Sequence, residues 1–270
     1  MFYFYLIISL SVAVTQGFLW GVSWWLIVTA VSTFVSLYIV SFALLFIPLL
    51  FVSLKSKPEK QSKYFRFWIK ELLPIIVFAL GVKVEVSGLE KVDKKEKLFF
   101  ICNHQHDFDP AIILNLFPDN WIAPIGKKDI LTEKPFIAKV MHKLDGLFID
   151  RENDRKAVET IVTAAKKLKQ KKVSILIFPE GYTSKTCELL PFRNGALKIA
   201  YKSAAPIAVC VLNNTQQITK NMFRRKTVVN FKVIDVLEYE DYKDLSTVEL
   251  GEKLHERMKN ELDNLKKSLS

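Results

Sequence analysis

Apolar side chains dominate the first 54 residues, which contain no Asp, Glu, Lys, Arg or His. About 20 apolar residues suffice for a helix to cross a bilayer, so one span is expected and two fit. Gln16, Gly17, Gly21 and Ser23 weaken the hydrophobicity near the middle and favour a turn there. The pattern predicts one long tilted helix, a hairpin, or an embedded pair of helices. A secretory signal peptide fits less well because a basic n-region is missing.

Basic residues crowd the segment that follows the apolar block: Lys55, Lys57, Lys60, Lys63, Arg66 and Lys70. Such a basic flank is typical of the cytoplasmic side of a membrane segment. The stretch Tyr64–Leu80 then predicts a helix, bent or interrupted at Pro74. Two interpretations stay open for it, an amphipathic helix at the membrane interface and a core-packed first helix of the soluble domain.

From Val82 onward, short β-branched or aromatic runs alternate with helix-like segments. The predicted strands are Val82–Ser87, Lys97–Cys102, Trp121–Ile125, Leu147–Ile149, Val173–Phe178, Ile207–Leu212 and Val228–Val236. The predicted helices are Pro110–Phe117, Lys134–Leu144, Asp154–Gln170, Asn194–Ser203 and Thr247–Leu269. This alternation predicts an α/β fold with a mixed, largely parallel sheet flanked by helices. We therefore expect a membrane anchor over 1–54, a basic interfacial helix over 55–81 and one cytoplasmic α/β domain over 82–270.

The formal net charge is +11 at pH 7, and all of it lies after the apolar block. A basic surface can bind nucleic acid or an anionic membrane, and the membrane anchor favours the second, so no nucleic-acid partner is expected. Cys102, Cys187 and Cys210 are odd in number and lack CxxC spacing. They indicate free thiols in a reducing compartment.

The stretch "ICNHQHDFDP", residues 101–110, crowds two histidines and two aspartates between a predicted strand and a predicted helix. A tight turn would let Asp109 orient the imidazole of His104, which could then remove a proton from a substrate hydroxyl. A metal site on His104, His106 and Asp109 is an alternative, but a catalytic zinc needs about three ligands and only His142 and His255 remain elsewhere. The third interpretation is a polar loop in which Asn103 and Asp109 only cap the helix.

Four blocks resemble the glycerolipid acyltransferase family, whose best-known members are 1-acylglycerol-3-phosphate acyltransferases. Asn103 to Asp109 is similar to its NHx4D motif, and three further blocks follow in the family's order over about residues 82–215. They are Gly146-Leu-Phe-Ile-Asp-Arg151, Phe178-Pro-Glu-Gly181, and Pro191-Phe-Arg-Asn-Gly195 with Ala205-Pro-Ile-Ala-Val209. Four ordered blocks are much more specific than one alone.

The resemblance implies roles for individual residues. His104 is expected to be the catalytic base and Asp109 its partner, while His106 and Asp107 are ordinary loop residues. Substrate-binding roles are expected for the following residues: Asn103, Lys128 (or its neighbour Lys127), Gly146, Arg151, Glu180, Gly181 and Arg193. Among these, Arg151 and the lysine would hold the acceptor's phosphate.

The third motif departs from the family's usual FPEGTRS, because Thr183 stands where an arginine is expected. The loss of this cation leaves the acceptor's headgroup open, although Lys185 or Arg193 could supply a compensating charge.

The resemblance implies a membrane-bound enzyme that moves an acyl group from acyl-CoA or acyl-carrier protein to the sn-2 hydroxyl of a lysophospholipid, foremost lysophosphatidic acid. The expected partners are the phospholipid bilayer, the acceptor and the thioester donor, with no cofactor and no metal. Two alternatives stay open, a metal-dependent hydrolase and a non-catalytic lipid-binding scaffold.

Overall fold

The computed structural model describes residues 1–54, 62–184, 186, 188–222, 224 and 226–267. Its first two helices are α1 (Phe2–Trp20) and α2 (Trp25–Leu50), which pack against each other across a short turn at Gly21, where φ is 87°. Both are long and apolar enough to cross a membrane, and most of their side chains point away from the protein. They fit the predicted membrane segment, with two helices and not one long one.

Helix α3 (Lys63–Ala79) lies between the N-terminal helices and the rest of the protein. Leu72 is fully buried and belongs to a cluster with Leu45 and Leu49 of α2. On its other side Phe67 and Phe78 are exposed, by 51% and 83%. The helix therefore has one face in a core and one open face, and its location at a membrane interface stays a prediction.

Helix α3 continues through Pro74, so the interruption that was one of the two predicted outcomes does not occur, and the bend stays a prediction. Proline removes one backbone N–H from a helix, which costs stability but can be tolerated where packing holds both flanks. Here Leu72 before Pro74 and Val77 after it are both buried. The basic positions Lys55, Lys57 and Lys60 lie outside the described residues.

An α/β unit follows α3. Its strands are β1 (Val82–Ser87), β2 (Phe99–Cys102), β3 (Ile122–Lys127), β4 (Leu147–Ile149), β5 (Ser174–Ile177), β6 (Ile207–Asn213) and β7 (Thr227–Leu237). Its helices are α4 (Asp109–Leu116), α5 (Ile130–Glu133), α6 (Pro135–Lys143), α7 (Asp154–Lys169), α8 (Lys198–Ser203), α9 (Ile218–Asn221) and α10 (Thr247–Lys267). Short 3₁₀ turns occupy Leu89–Lys91, Asn194–Leu197, Thr215–Gln217 and Tyr239–Asp241.

The seven strands form one sheet in the order β1-β7-β6-β2-β5-β3-β4. All neighbouring pairs are parallel except β6 and β7, which are antiparallel. A mixed, largely parallel sheet is the fold class predicted from the sequence, which is confirmed. Sheets of this kind are covered on both faces, so their central strands read as continuous apolar runs. Strands β2, β5 and β6 are buried at every position.

Two hydrophobic clusters sandwich the sheet. One contains Ile112 and Ile113 of α4, and the other contains side chains of α7, α8 and α10, among them Ile199 of α8. Helix α4 follows β2 and α8 follows β5, so the chain leaves these two adjacent strands toward opposite faces of the sheet. In open α/β sheets such a divergence opens a crevice at the carboxyl ends of the strands, where ligands bind.

Candidate active site

The motif residues meet at the carboxyl edge of the parallel strands. His104 lies two residues beyond β2, Glu180 three beyond β5 and Arg151 two beyond β4. Strands β2 and β5 are direct neighbours, and β4 lies two positions further along the sheet. Segments separated by tens of residues in sequence therefore converge at one edge of the sheet because parallel strands all end there.

The imidazole of His104 is held by the carboxylate of Asp109. Their Nδ1 and Oδ2 atoms are 2.8 Å apart, and Asp109 is fully buried at the start of α4. The same oxygen accepts hydrogen bonds from the backbone N–H groups of Gln105 at 2.6 Å and His106 at 2.8 Å. A tight turn thus wraps the carboxylate, as the five-residue spacing of the pair requires.

This arrangement determines the tautomer of the neutral ring. A carboxylate beside Nδ1 keeps the proton there and leaves the lone pair on Nε2. The side chain of His104 is 18% exposed, so a small molecule can approach it. Chemically, the pair can take a proton at Nε2 while the buried Asp109 stabilises the positive charge that the ring acquires.

Aromatic stacking fixes the plane of the His104 ring. The ring of Phe178 lies 4.3 Å from it, centroid to centroid, with an angle of 20° between the planes. The backbone N–H of Ser184 donates to the carbonyl of His104 at 2.7 Å and fixes the loop itself. The sequence reasoning did not assign Phe178 a site role, since its only signal was its place in the third motif.

The carboxylate of Glu180 accepts hydrogen bonds from two different loops beneath the site. One carboxylate oxygen accepts from the backbone N–H of His104 at 2.6 Å and the other from that of Leu190 at 2.7 Å. Burial raises the pKa of this carboxyl to about 7, although the two N–H donors act in the opposite direction. The structure therefore places a carboxyl group that titrates near neutral pH directly behind His104.

Gly181 and Tyr182 form a turn that two arginine side chains contact, those of Arg151 and Arg193. Gly181 has φ of 77°, a left-handed conformation, and a Cβ at this position would lie 3.0 Å from Nε of Arg193. Arg151 donates to the carbonyl of Gly181, and the backbone N–H of Arg193 donates to Pro179 O at 2.8 Å. The pKa of Arg151 is lowered by burial and by the neighbouring Arg193. Glycine is needed here for both its backbone angle and the close approach of a side chain.

Other residues from the sequence analysis lie outside this cluster. Asn103 is buried, and its amide both donates to Leu212 O at 2.8 Å and accepts from Leu212 N at 2.7 Å, so it joins the end of β2 to β6. Lys128 is exposed and pairs with Asp150 at 3.0 Å. Gly146 lies in the turn before β4, where a Cβ would be 2.8 Å from a backbone oxygen of Met141. Their substrate-binding roles stay predictions.

The neighbouring lysine and the loop residues have partners of their own. Lys127 pairs with Glu133 at 2.9 Å. His106 Nε2 lies 2.6 Å from Thr219 Oγ1, and Asp107 pairs with Lys134 at 2.5 Å. The contact with Thr219 of α9 was not foreseen because this helix was missed in the sequence.

Metal ligands do not converge in the part of the chain that the structure describes, where groups of three or more His, Cys, Asp or Glu side chains suited to an ion are absent. The two motif histidines turn to different partners, Asp109 and Thr219. The hydrolase alternative therefore lacks a ligand set among these residues. Cys102 and Cys210 are buried free thiols, whereas Cys187 and Lys185 lie outside the described residues.

Comparison with known proteins agrees with this geometry. Residues 83–213 match the family model "Acyltransferase". The chain is 32% identical over 162 residues to a 1-acyl-sn-glycerol-3-phosphate acyltransferase of Salmonella typhimurium, covering 59% of this chain and 65% of that protein. It is 30% identical over 183 residues to an enzyme of the same name from Cocos nucifera, covering 67% and 58%. The aligned region thus spans less than two thirds of these relatives.

A solved structure shares the fold. The 1-acyl-sn-glycerophosphate acyltransferase of Thermotoga maritima superposes with a TM-score of 0.64 at 23% identity, over 85% of this chain and 92% of that one. At this identity the likeness shows the fold alone. Over residues 83–213, the matched domain and the curated relatives show that the chain is similar to the glycerolipid acyltransferase family.

Proposed function

We propose that the chain is a membrane-bound O-acyltransferase that moves a fatty acyl group from a thioester to the sn-2 hydroxyl of a lysophospholipid, foremost lysophosphatidic acid. The observation that carries the proposal is the pair formed by His104 and the buried Asp109 at the end of β2. The names of the curated relatives support the choice of acceptor.

The reaction begins with the acceptor's hydroxyl group. Its proton passes to Nε2 of His104 while its oxygen attacks the carbonyl carbon of the thioester. The carbon–sulfur bond of the resulting tetrahedral intermediate then breaks, and the proton on His104 passes to the departing thiolate. No acyl-enzyme is required because the acceptor oxygen attacks directly. General base catalysis of this kind contributes about 10² to 10⁴ in rate.

Asp109 supports both proton transfers and stays ionised throughout. It holds Nδ1–H at 2.8 Å and offsets the positive charge on the ring. The ring's stacking on Phe178 and the bond from the His104 N–H to Glu180 keep Nε2 in one direction. A base that is held in place by its surroundings loses little entropy when the reaction begins.

The donor and the membrane complete the proposal. The donor is acyl-CoA or acyl-carrier protein, whose phosphates or acidic surface suit a basic protein. The helices α1 and α2 would anchor the protein in the bilayer that contains the acceptor and so keep the site close to it. The basic residues that follow these helices favour a site on the cytoplasmic face.

The test is a transfer assay with the full chain in detergent or vesicles, offering several lysophospholipids with acyl-CoA and with acyl-carrier protein. We expect transfer to lysophosphatidic acid, a fall of about 10² to 10⁴ in kcat for His104→Ala, and near-normal turnover for His106→Ala. The second variant is the matched control, since it removes an imidazole from the same loop and leaves the His104–Asp109 pair untouched.

Two outcomes would contradict the proposal. Inactivation by a chelator together with stoichiometric zinc would favour the hydrolase alternative. Lipid binding that persists in a folded chain without any transfer would favour the scaffold.

A further inference from the structure

Two guanidinium groups share one aromatic ring beside the proposed catalytic pair. The Cζ atom of Arg151 lies 5.3 Å from the centroid of the Tyr182 ring, and that of Arg193 lies 5.2 Å from it. Arg193 Nη2 also donates to the hydroxyl oxygen of Tyr182 at 3.2 Å. Both distances are within the range of about 6 Å in which a cation is attracted to a ring face.

Neither guanidinium forms an ion pair with a carboxylate within the described ranges, although the charge of Asp129 acts on Arg151 from a distance. Two other arginines have such partners: Arg155 pairs with Glu159 and Arg257 with Asp235. Arg151 instead has Arg193 as a neighbouring charge, and its pKa is lowered by burial and by that repulsion. Two like charges held together cost free energy, which an anion bound between them would offset.

The position and the charge suit a phosphate monoester. Gly181, whose carbonyl accepts a hydrogen bond from Arg151, directly follows Glu180, and Glu180 accepts from the backbone of His104. A phosphate monoester carries about −1.5 to −2 charge at pH 7, which matches two cations. Arginine also binds phosphate oxygens through two parallel N–H groups.

Tyr182 contributes little to the protein core, because it is 60% exposed. Its ring instead contacts the two arginines, whose charges are attracted to the ring face. The neighbouring position carries Thr183, also exposed, where the motif that this block resembles has an arginine.

We propose that Tyr182 is a positioning residue that holds the Arg193 guanidinium beside that of Arg151, so that the two cations together bind the acceptor's phosphate in place of an arginine at position 183. This inference rests on the proposed function, since it assigns the phosphate of the same acceptor to a place in the site. The ring acts through the arginines and does not itself contact the reacting atoms.

The first experiment measures KM and kcat for lysophosphatidic acid. Tyr182→Leu removes the ring face and keeps apolar bulk, so KM should rise about tenfold while kcat stays within about threefold, the signature of lost uniform binding. Tyr182→Phe keeps the ring and loses only the bond from Arg193, so its KM should rise by about threefold or less. Arg155→Gln, an exposed arginine four residues from Arg151, is the matched control and should leave both constants unchanged.

The second experiment asks whether Tyr182 acts through Arg193. Arg193→Gln should raise KM about tenfold or more, and the double variant with Tyr182→Leu should be no worse. Adding Thr183→Arg to Tyr182→Leu should restore most of the affinity by supplying a new cation. An unchanged KM in Tyr182→Leu, or effects of the two single variants that multiply, would overturn the proposal.

A binding measurement separates this inference from the proposed function. Labelled lysophosphatidic acid in detergent micelles is equilibrated with the folded chain carrying His104→Ala, with and without Tyr182→Leu. We expect the affinity to fall about tenfold on removal of the ring, whether or not the wild-type chain transfers acyl groups. Equal affinities overturn the role of Tyr182, whereas failed transfer by the wild-type chain overturns only the function.

Discussion

Asp109→Asn tests the electrostatic half of the proposed mechanism with almost no change of shape. In the wild-type chain, Oδ2 of Asp109 is shared by His104 Nδ1 and the backbone N–H groups of Gln105 and His106. The amide oxygen of asparagine can accept hydrogen bonds from the same three groups. What disappears is the negative charge that stabilises the protonated ring. The variant therefore changes charge while the hydrogen-bond geometry can persist.

The magnitude follows from the distance between the two groups. Opposite charges 2.8 Å apart attract by about 6 kcal/mol at an effective dielectric constant of about 20. Every 1.4 kcal/mol, roughly, corresponds to tenfold in rate, so full loss of the attraction would slow the reaction by about 10⁴. The proton is only partly transferred in the transition state, and we expect kcat to fall by about 10² to 10⁴.

The assay compares kcat for acyl transfer to lysophosphatidic acid in the wild-type chain, Asp109→Asn, His104→Ala and the double variant. Residues that act as one unit are strongly non-additive, so the double variant should be about as slow as His104→Ala alone. Thermal unfolding is measured in parallel, because the amide N–H₂ group of asparagine would replace a buried oxygen that has no hydrogen-bond partner. A folded Asp109→Asn chain with kcat within tenfold of the wild-type value would refute the reasoning.

Two further predictions concern the turn behind His104. The pKa of Glu180 is about 7 in the folded chain against an ordinary value of 4.5, so its contribution to stability is fully present below about pH 4.5 and is lost as the pH rises through 7. Thermal unfolding should therefore show a stability loss of about 3 kcal/mol over this window that is absent in Glu180→Gln, and identical profiles would contradict the shift. Gly181→Ala places a methyl group 3.0 Å from Arg193 at a positive φ, so we expect it to cost about 1 kcal/mol or more of stability and to raise KM for the acceptor. An alanine variant with unchanged stability and KM would argue against the close approach.

Much of the fold was predictable from local pattern. The limits of β1 and β4 were predicted to the residue, and the other strands to within two residues at each end. Buried parallel strands are continuous apolar runs, so they stand out from amphipathic helices such as α7. The four-residue helices α5 and α9 were missed because they are too short for any periodicity to develop.

The proximity of His104 and Asp109 was also predictable, since the two residues are five apart and joined by a turn that enters a helix at Pro110. The contacts of Lys128 and Asn103 were not predictable from the sequence. Position in a motif does not reveal that one side chain pairs with Asp150 or that the other joins two strands. Both contacts depend on the order of the strands in the sheet.

The sequence by itself determined the apolar N-terminal block, the α/β alternation and the pairing of His104 with Asp109, because each depends on residues close together in the chain. Only the tertiary structure decided that Phe178 stacks on His104, that Glu180 accepts a hydrogen bond from the backbone of His104, and that Tyr182 contacts two arginines. These contacts join segments tens of residues apart, and they exist because the order of strands in the sheet brings their carboxyl ends to one edge.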